Sequence, residues 1–428
     1  MLIALWLALA AAQDTVRAPR LQLAEVYQGV RSANPRAAAA RELSTAARAR
    51  VASSKLPPDP EVQLGFMNYS LPGLSPMAPI GMTQLQVMQM LPLAGKLGTS
   101  GRVATAQADA TAERAREVEW EVRAQAAMAF YDLHATDRAL DVSRQTLRLL
   151  HDVLRTAEAM YRVGEGRQAD VLRAQLEIAR MVEDTLRMTT MRLGMEARLN
   201  AVLDRAADAR VASPVMPDFP DTVPALSALV AESEARRPMV QAARRDVDAA
   251  TAQSSLARRE IWPDLTVGVQ YGQRGSEMGT ERMGSLMLGA SIPVFAGRRQ
   301  LRMREEMTAM QRMAEAELSV MRAATRSSVT EAYANLIRAR NLERLYRTTI
   351  LPQAEATVAS AQAAYRVGGV DFMTLLDDRM TVNEYRQQLF ALEAEQGKAW
   401  AELEMLLGRE LFDPRTTAGD APRGRENP

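Results

Sequence analysis

The chain repeats itself. Residues 157–164 read AEAMYRVG and residues 361–368 read AQAAYRVG; the same spacing carries LNAVLDR (199–205) onto LEMLLGR (403–409). At nearly that spacing AFYDL (129–133) matches AYANL (332–336), and LPPDPEVQLGF (56–66) matches EIWPDLTVGV (260–269) around Pro60 and Pro263. MLPLAGK (90–96) pairs with SIPVFAGR (291–298). Blocks that recur in one order across most of the chain identify an internal duplication. Each half therefore follows one plan: a helix, two strands, then two long helices. The expected layout is a first repeat over 13–210 and a second over 211–415, with a disordered tail over 416–428.

The strands read as two-faced. Val62, Leu64 and Phe66 alternate with Gln63 and Gly65, and Leu85 and Val87 alternate with Gln84, Gln86 and, less cleanly, Met88. In the second half Leu265, Val267, Val269 and Tyr271 alternate with Thr266, Gly268, Gln270 and Gly272. Leu286, Leu288, Ala290 and Ile292 alternate with Ser285, Met287, Gly289 and Ser291 in the same way. Period-two alternation marks a strand with one apolar and one polar or small face. Strands are expected at about 60–70, 82–92, 262–272 and 282–295, with loops at Ser70–Gly81 and Gln273–Glu281. Two readings fit this pattern: hairpins that cap a soluble helical body, or a membrane barrel with lipid outside and water inside.

The helices exceed what a globular domain needs. From Leu97 to Tyr161 there is no proline, and Leu133, Leu140, Leu147 and Leu154 recur at a spacing of seven. Leu172, Ala179, Leu186 and Leu193 repeat that spacing beyond Gly164 and Gly166. Uncapped patterns of this length indicate coiled coil. Long helices are expected over about 97–163 and 167–205, and again over 298–366 and 371–408. Each pair folds back at a YRVG turn, where glycine takes the left-handed conformation that ends a helix.

Residues 2–12, LIALWLALAAA, read as a secretory signal peptide, although no basic residue precedes the apolar run. No other stretch reaches the ~20 apolar residues of a spanning helix, so any membrane crossing is by strands. Four strands cannot close a barrel, and single-chain barrels need about eight, so chains must share one.

Other classes lose ground on composition. Lys+Arg (53) and Asp+Glu (52) balance and intersperse, which argues against nucleic acid as a partner. Cysteine is absent, and His134 and His151 lie seventeen residues apart, so no metal-ligand cluster, cofactor site or catalytic motif is expected. The 25 methionines fit two readings, flexible apolar filler and soft-metal ligand. Met67, Met77, Met82, Met88 and Met90 cluster in the first hairpin.

The duplication, the paired strands, Asn34-Pro35, the GKLGTSGRVATAQA start (95–108) and the two turns Tyr161–Gly164 and Tyr365–Gly368 resemble the TolC-type outer-membrane efflux proteins. That resemblance implies a mainly α fold with a β-barrel: long antiparallel helical hairpins forming an α-barrel, and four strands per protomer in a trimeric 12-strand transmembrane barrel. It implies a homotrimer in the outer membrane of a Gram-negative-type bacterium, with the helical barrel in the periplasm. The partners would be a periplasmic adaptor and an inner-membrane transporter of RND type, and the chain would catalyse nothing. LPLAGKL (91–97) and PPDPEV (57–62) resemble most the branch paired with heavy-metal cation pumps; drug efflux and type I secretion channels are the alternative. A periplasmic coiled-coil scaffold or adaptor is the alternative of another class.

By the same resemblance a periplasmic gate falls on Asp170, Tyr365, Thr374 and Asp377, with Thr374 and Val370 departing from a family aspartate and arginine. A solvated helix position is the plainer account of Asp377 and Asp378. Adaptor-docking tips fall on Arg162, Val163 and Gly164 and on Arg366, Val367 and Gly368.

Overall fold

The computed structural model describes residues 20–77, 80–276, 279–367, 369–413 and 415. The expected signal peptide, Gly368 and the tail over 416–428 lie outside the described residues. Helices α1 (Leu23–Ala33) and α2 (Pro35–Ser53) open the chain. Proline at 35 breaks the first and starts the second. Asn34 caps the junction: its Oδ1 accepts from the Ala37 N–H at 3.0 Å, and its amide donates to the Val202 carbonyl at 2.7 Å.

The strands follow. A two-residue β1 (Arg20–Leu21) pairs in parallel with β6 (Ser213–Pro214), and β3 (Tyr69–Ser70) with β4 (Ser75–Pro76) makes a small hairpin inside the loop expected over 70–81. The main sheet holds β2 (Glu61–Met67), β5 (Met82–Leu91), β7 (Asp264–Ser276) and β8 (Gly279–Ser291), in the order β2-β5-β7-β8, antiparallel throughout. The two repeats thus meet at β5–β7, where Val87 pairs with Val269.

The second hairpin corrects the sequence reading. Gln273–Glu281 was expected as a loop, but pairing runs through Gln273↔Arg282 and Arg274↔Glu281. Arg274 and Glu281 lie opposite one another and form an ion pair at 2.7 Å, and opposite charges across a pair support strand.

Register sorts the sheet into two faces. One carries Val62, Leu64, Phe66, Leu85, Val87, Val267, Val269, Leu286 and Leu288. The other carries Gln63, Gly65, Gln84, Gln86, Gly268, Gln270, Gly272 and Ser285, together with several methionines. Among the described residues the apolar face lacks a protein cover: Val62 is 66% exposed, Leu286 70% and Leu288 71%.

Helix α3 (Lys96–Arg162) has 67 residues, roughly 100 Å at 1.5 Å per residue. Helix α4 (Gln168–Val202) follows it. Shorter α5 (Leu226–Arg236) and α6 (Pro238–Arg259) lead into the second strand pair. Within the span 298–366, expected as a long helix, α7 (Gln300–Leu345) passes through a π-turn at Tyr346–Ile350 into α8 (Leu351–Arg366). Pro352 explains it, because its ring has no N–H and would strike the carbonyl four residues back, so the wider turn takes up the misfit. Helix α9 (Phe372–Leu407) closes the fold, ended by Gly408 at φ 65°.

The chain forms two units. One takes the described residues up to Ala38, Glu117–Arg237 and those from Thr325 onward; the other takes Ala39–Arg116 and Pro238–Ala324. In the second, the sheet is anchored by Lys96. Its side chain is 7% exposed, and its ammonium donates to Asp264 at 2.8 Å and to the Trp262 carbonyl at 2.9 Å. In the first unit Leu23, Val26 and Val30 of α1 pack on Val122, Phe130 and Leu133 of α3 and on Leu199. Trp400 and Leu403 of α9 pack on Val329 and Leu336 of α7.

Helix contact there depends on a glycine. A Cβ at Gly397 would stand 2.5–2.6 Å from the Tyr131 ring, which is fully buried. Alanine gains about 1 kcal/mol of helix propensity, but overpacking a rigid ring costs about 1–3. Gly397→Ala should therefore lower the thermal midpoint of detergent-purified protein. Gly194→Ala, with nothing within 4 Å of its Cβ position, should hold or raise it.

Candidate channel entrance and docking turns

The first turn ends α3 as glycine chemistry requires. Gly164 has φ +80°, and the N–H groups of Glu165 and Gly166 both donate to the Met160 carbonyl at 3.0 Å. Gly166 is the second obligatory glycine, because a Cβ there would lie 2.9 Å from the Tyr161 nitrogen. The ring of Tyr161 and the side chains of Arg162 and Val163 stand exposed at the tip. At the second turn Val367 is 83% exposed, and the Gly369 N–H donates to the Ala364 carbonyl at 2.8 Å. Both turns thus present valine to solvent.

Apolar packing holds the four helices above the turns together. Leu150 and Ala157 of α3, Ala174 and Met181 of α4, and Phe372 and Leu376 of α9 form one cluster, with Tyr365 of α8 packed against it. The Tyr365 ring meets that of Phe372 edge to face at 6.0 Å. This packing brings two of the four expected gate residues together. Burial raises the Tyr365 phenol above its ordinary range, and the Asp170 charge nearby raises it further. Asp170 itself is half-buried in the first turn of α4.

Thr374 and Asp377 are exposed on α9 three residues from each other, and so on one helix face. Thr374 is already engaged. Its N–H and its hydroxyl both donate to Asp371 Oδ1, at 2.8 and 2.7 Å. The backbone carbonyl of Asp377 accepts from the Thr381 hydroxyl at 2.9 Å.

Asp371 is the residue the sequence reading missed. It caps α9, and the Thr374 hydroxyl and N–H hold its carboxyl below the usual carboxylate range, helped by the nearby charges of Arg167 and Arg173 on the other hairpin. The signal was present: an aspartate directly before an apolar run, with an acceptor-seeking N–H three residues on. Arg379 was also missed. It is half-buried beside a groove between α3, α8 and α9 and donates to Gln362 at 2.7 Å. Burial, then Arg386, lowers its pKa.

Because the folded pKa of Asp371 is depressed, its contribution to α9 is present above the unfolded carboxylate value and is lost as pH falls through the folded one. Asp371→Ala should speed amide hydrogen exchange at Thr374 and its neighbours at neutral pH, while the α3–α4 turn exchanges as before. Unchanged exchange at Thr374 would show that the cap does not hold the helix start.

Duplicated strand pairs and helical hairpins, a two-faced sheet and glycine turns define a mainly α class with one four-stranded antiparallel sheet. Residues 26–204 and 229–409 match the family described as outer membrane efflux protein, and the chain belongs to that family and to the outer membrane. It is 26% identical over 287 residues to the "Pyoverdine export outer membrane protein OpmQ" of Pseudomonas putida, covering 62% of this chain and 58% of that protein. It is 29% identical over 253 residues to "Protein CyaE" of Bordetella pertussis, covering 56% and 52%. The chain thus spans little more than half the length of these curated relatives. Among solved structures, the outer-membrane channel OprN superposes with TM-score 0.76 at 18% identity, over 90% of this chain and 89% of that one. At that identity the likeness speaks for the fold.

Proposed function

We propose that the chain is the channel subunit of a tripartite efflux system. It works as a homotrimer that passively conducts what an RND-type inner-membrane transporter and a periplasmic adaptor deliver, and it catalyses no reaction. The observation that carries this reading is the four-stranded sheet with one uncovered apolar face and two unpaired edges, β2 and β8. Each apolar side chain of that face costs about 1.5–3 kcal/mol to leave in water rather than bury. Lipid supplies the cover, and three copies supply twelve strands and no edge.

Heavy-metal cations are the cargo this reading favours, supported by the segments PPDPEV and LPLAGKL. Small organic solutes are the second reading, favoured by the relative named for pyoverdine export. Expression with a metal pump and its adaptor, in a host lacking its own channels, should raise tolerance to metal salts. A gain for organic toxicants alone supports the second.

The same reading makes the turns the adaptor-docking tips and Asp170, Tyr365, Thr374 and Asp377 the periplasmic gate. Asp377 lies five residues past the start of α9, roughly 8 Å along the helix, a depth that suits the lining of a narrow mouth. Three carboxylates there favour cations. Asp377→Asn should weaken cation preference in planar bilayers with assembly intact. Asp170→Ala, which removes the charge beside Tyr365, should raise closed-state conductance. Unchanged selectivity and conductance would place the gate elsewhere.

The faces give a sharper test. Val267→Arg on the apolar face should impair membrane assembly by about 2–4 kcal/mol near the midplane, whereas Ser285→Arg on the amide face should assemble normally. Equal assembly of both would contradict the barrel.

A further inference from the structure

The amide face of the sheet carries a second pattern. Met82, Met88 and Met90 of β5, Met283 and Met287 of β8 and Met67 of β2 all lie on it, by register. The methionines are not scattered. Gly268 of β7 pairs with Met88 on one side and Met287 on the other. Met88 Cγ and Met287 Cε lie 3.2 and 3.4 Å from where a Cβ on Gly268 would stand. Four residues along, Gly272 pairs with Met283, and Met82 Sδ lies 3.0 Å from its Cβ position. Gly268 and Gly272 are the only buried positions of β7 among its described residues. Each is thus the floor of a well with methionines of two neighbouring strands at its sides. Four residues of strand set the wells about 13–14 Å apart along β7.

The surroundings are polar, and charge enters beside each well: Glu61 stands opposite Met88, and Arg274, ion-paired to Glu281, stands opposite Met82. Gln63, Gln84, Gln86, Gln270 and Ser285 lie on the same face, and the Gln86 amide approaches Met287 Sδ at 3.9 Å. Glu61 is one carboxylate beside the first well, and the Glu281 carboxylate near the second is held by Arg274, so neither well gathers the several charged oxygens a hard divalent cation takes. A thioether is neutral, polarisable and has no proton to lose, so a pair of them suits a soft monovalent ion and discriminates against hard ones. Simple filling does not account for the choice, because Met283 and Met90 remain 40% and 44% exposed on a face otherwise given to amides.

We propose that Met88 with Met287 over Gly268, and Met82 with Met283 over Gly272, are two binding stations for a soft monovalent cation, Ag(I) or Cu(I). Their binding is a property of the sheet; their use as stepping points in export rests on the channel reading above.

The experiment titrates Ag(I) into the purified full chain in detergent and follows silver X-ray absorption. Leucine keeps methionine's volume without its sulfur. Met88→Leu/Met287→Leu should bind one silver ion fewer per chain than the native protein, and the four-fold leucine variant two fewer. Zn(II) in excess should leave the native stoichiometry unchanged. The other methionines are common to every variant and cancel in the difference. Equal silver binding by the native and four-fold variants would overturn the proposal, as would displacement by Zn(II). Conductance of the four-fold variant is recorded alongside: an open channel without the silver difference sinks the stations alone, and a silver difference without conductance sinks the channel alone.

Discussion

An unpaired strand edge cannot be left in hydrocarbon. The sheet here ends in β2 on one side and β8 on the other, and β8 alone has thirteen residues. Half of its backbone groups point away from β7, and each orphan costs several kcal/mol in lipid. That exceeds the 5–15 kcal/mol by which a typical domain is stable. The apolar face makes lipid the natural surrounding, and the edges then demand neighbours. Duplication fits this requirement: two hairpins joined at β5–β7 make one four-stranded sheet, and in the proposed trimer identical chains would supply the rest.

The helical unit answers a different demand. Long helices have little core per residue, so they pack closely through small side chains. Ala126, Ala127, Ala332, Ala399 and Gly397 are all placed where a larger group would hold the helices apart. The aromatics concentrate instead at one level, where Tyr131, Phe219, Phe412 and Trp400 form a chain of ring contacts. Arg123 joins that level, its guanidinium 3.7 Å from the Tyr27 ring centre and ion-paired to Glu404 and Glu410.

Periodicity made the elements readable. Alternation at Val62–Phe66 and Leu265–Tyr271 fixed both strand and face, since a one-residue slip would exchange lipid for water along the whole strand. The heptads of Leu133–Leu154 made α3 readable in the same way. What escaped was long-range or irregular. The β5–β7 join rests on pairing across some 180 residues, and the second hairpin runs on through Arg274↔Glu281, a pair of opposite charges, to Ser276↔Gly279. The π-turn before Pro352 trades a regular helix for a local accommodation that no pattern of apolar residues reports. Beside the turns, Tyr365 and Asp170 were singled out through resemblance alone, whereas the cap at Asp371 was legible from capping chemistry and was passed over. The methionine wells were half visible: the cluster in the first hairpin stood out, but Met283 and Met287 join it only through register.

The central claim is that β2 of one chain pairs with β8 of the next. The absence of cysteine makes the measurement clean, since introduced thiols have no background. Single cysteines at Val62 or Leu64 are combined with one at Leu286 or Leu288, and the membrane-assembled protein is oxidised and run under denaturing conditions. The account predicts a ladder ending at a covalent trimer for at least one combination, and closed trimers without larger species. Monomer throughout, or an open series beyond three, would contradict it.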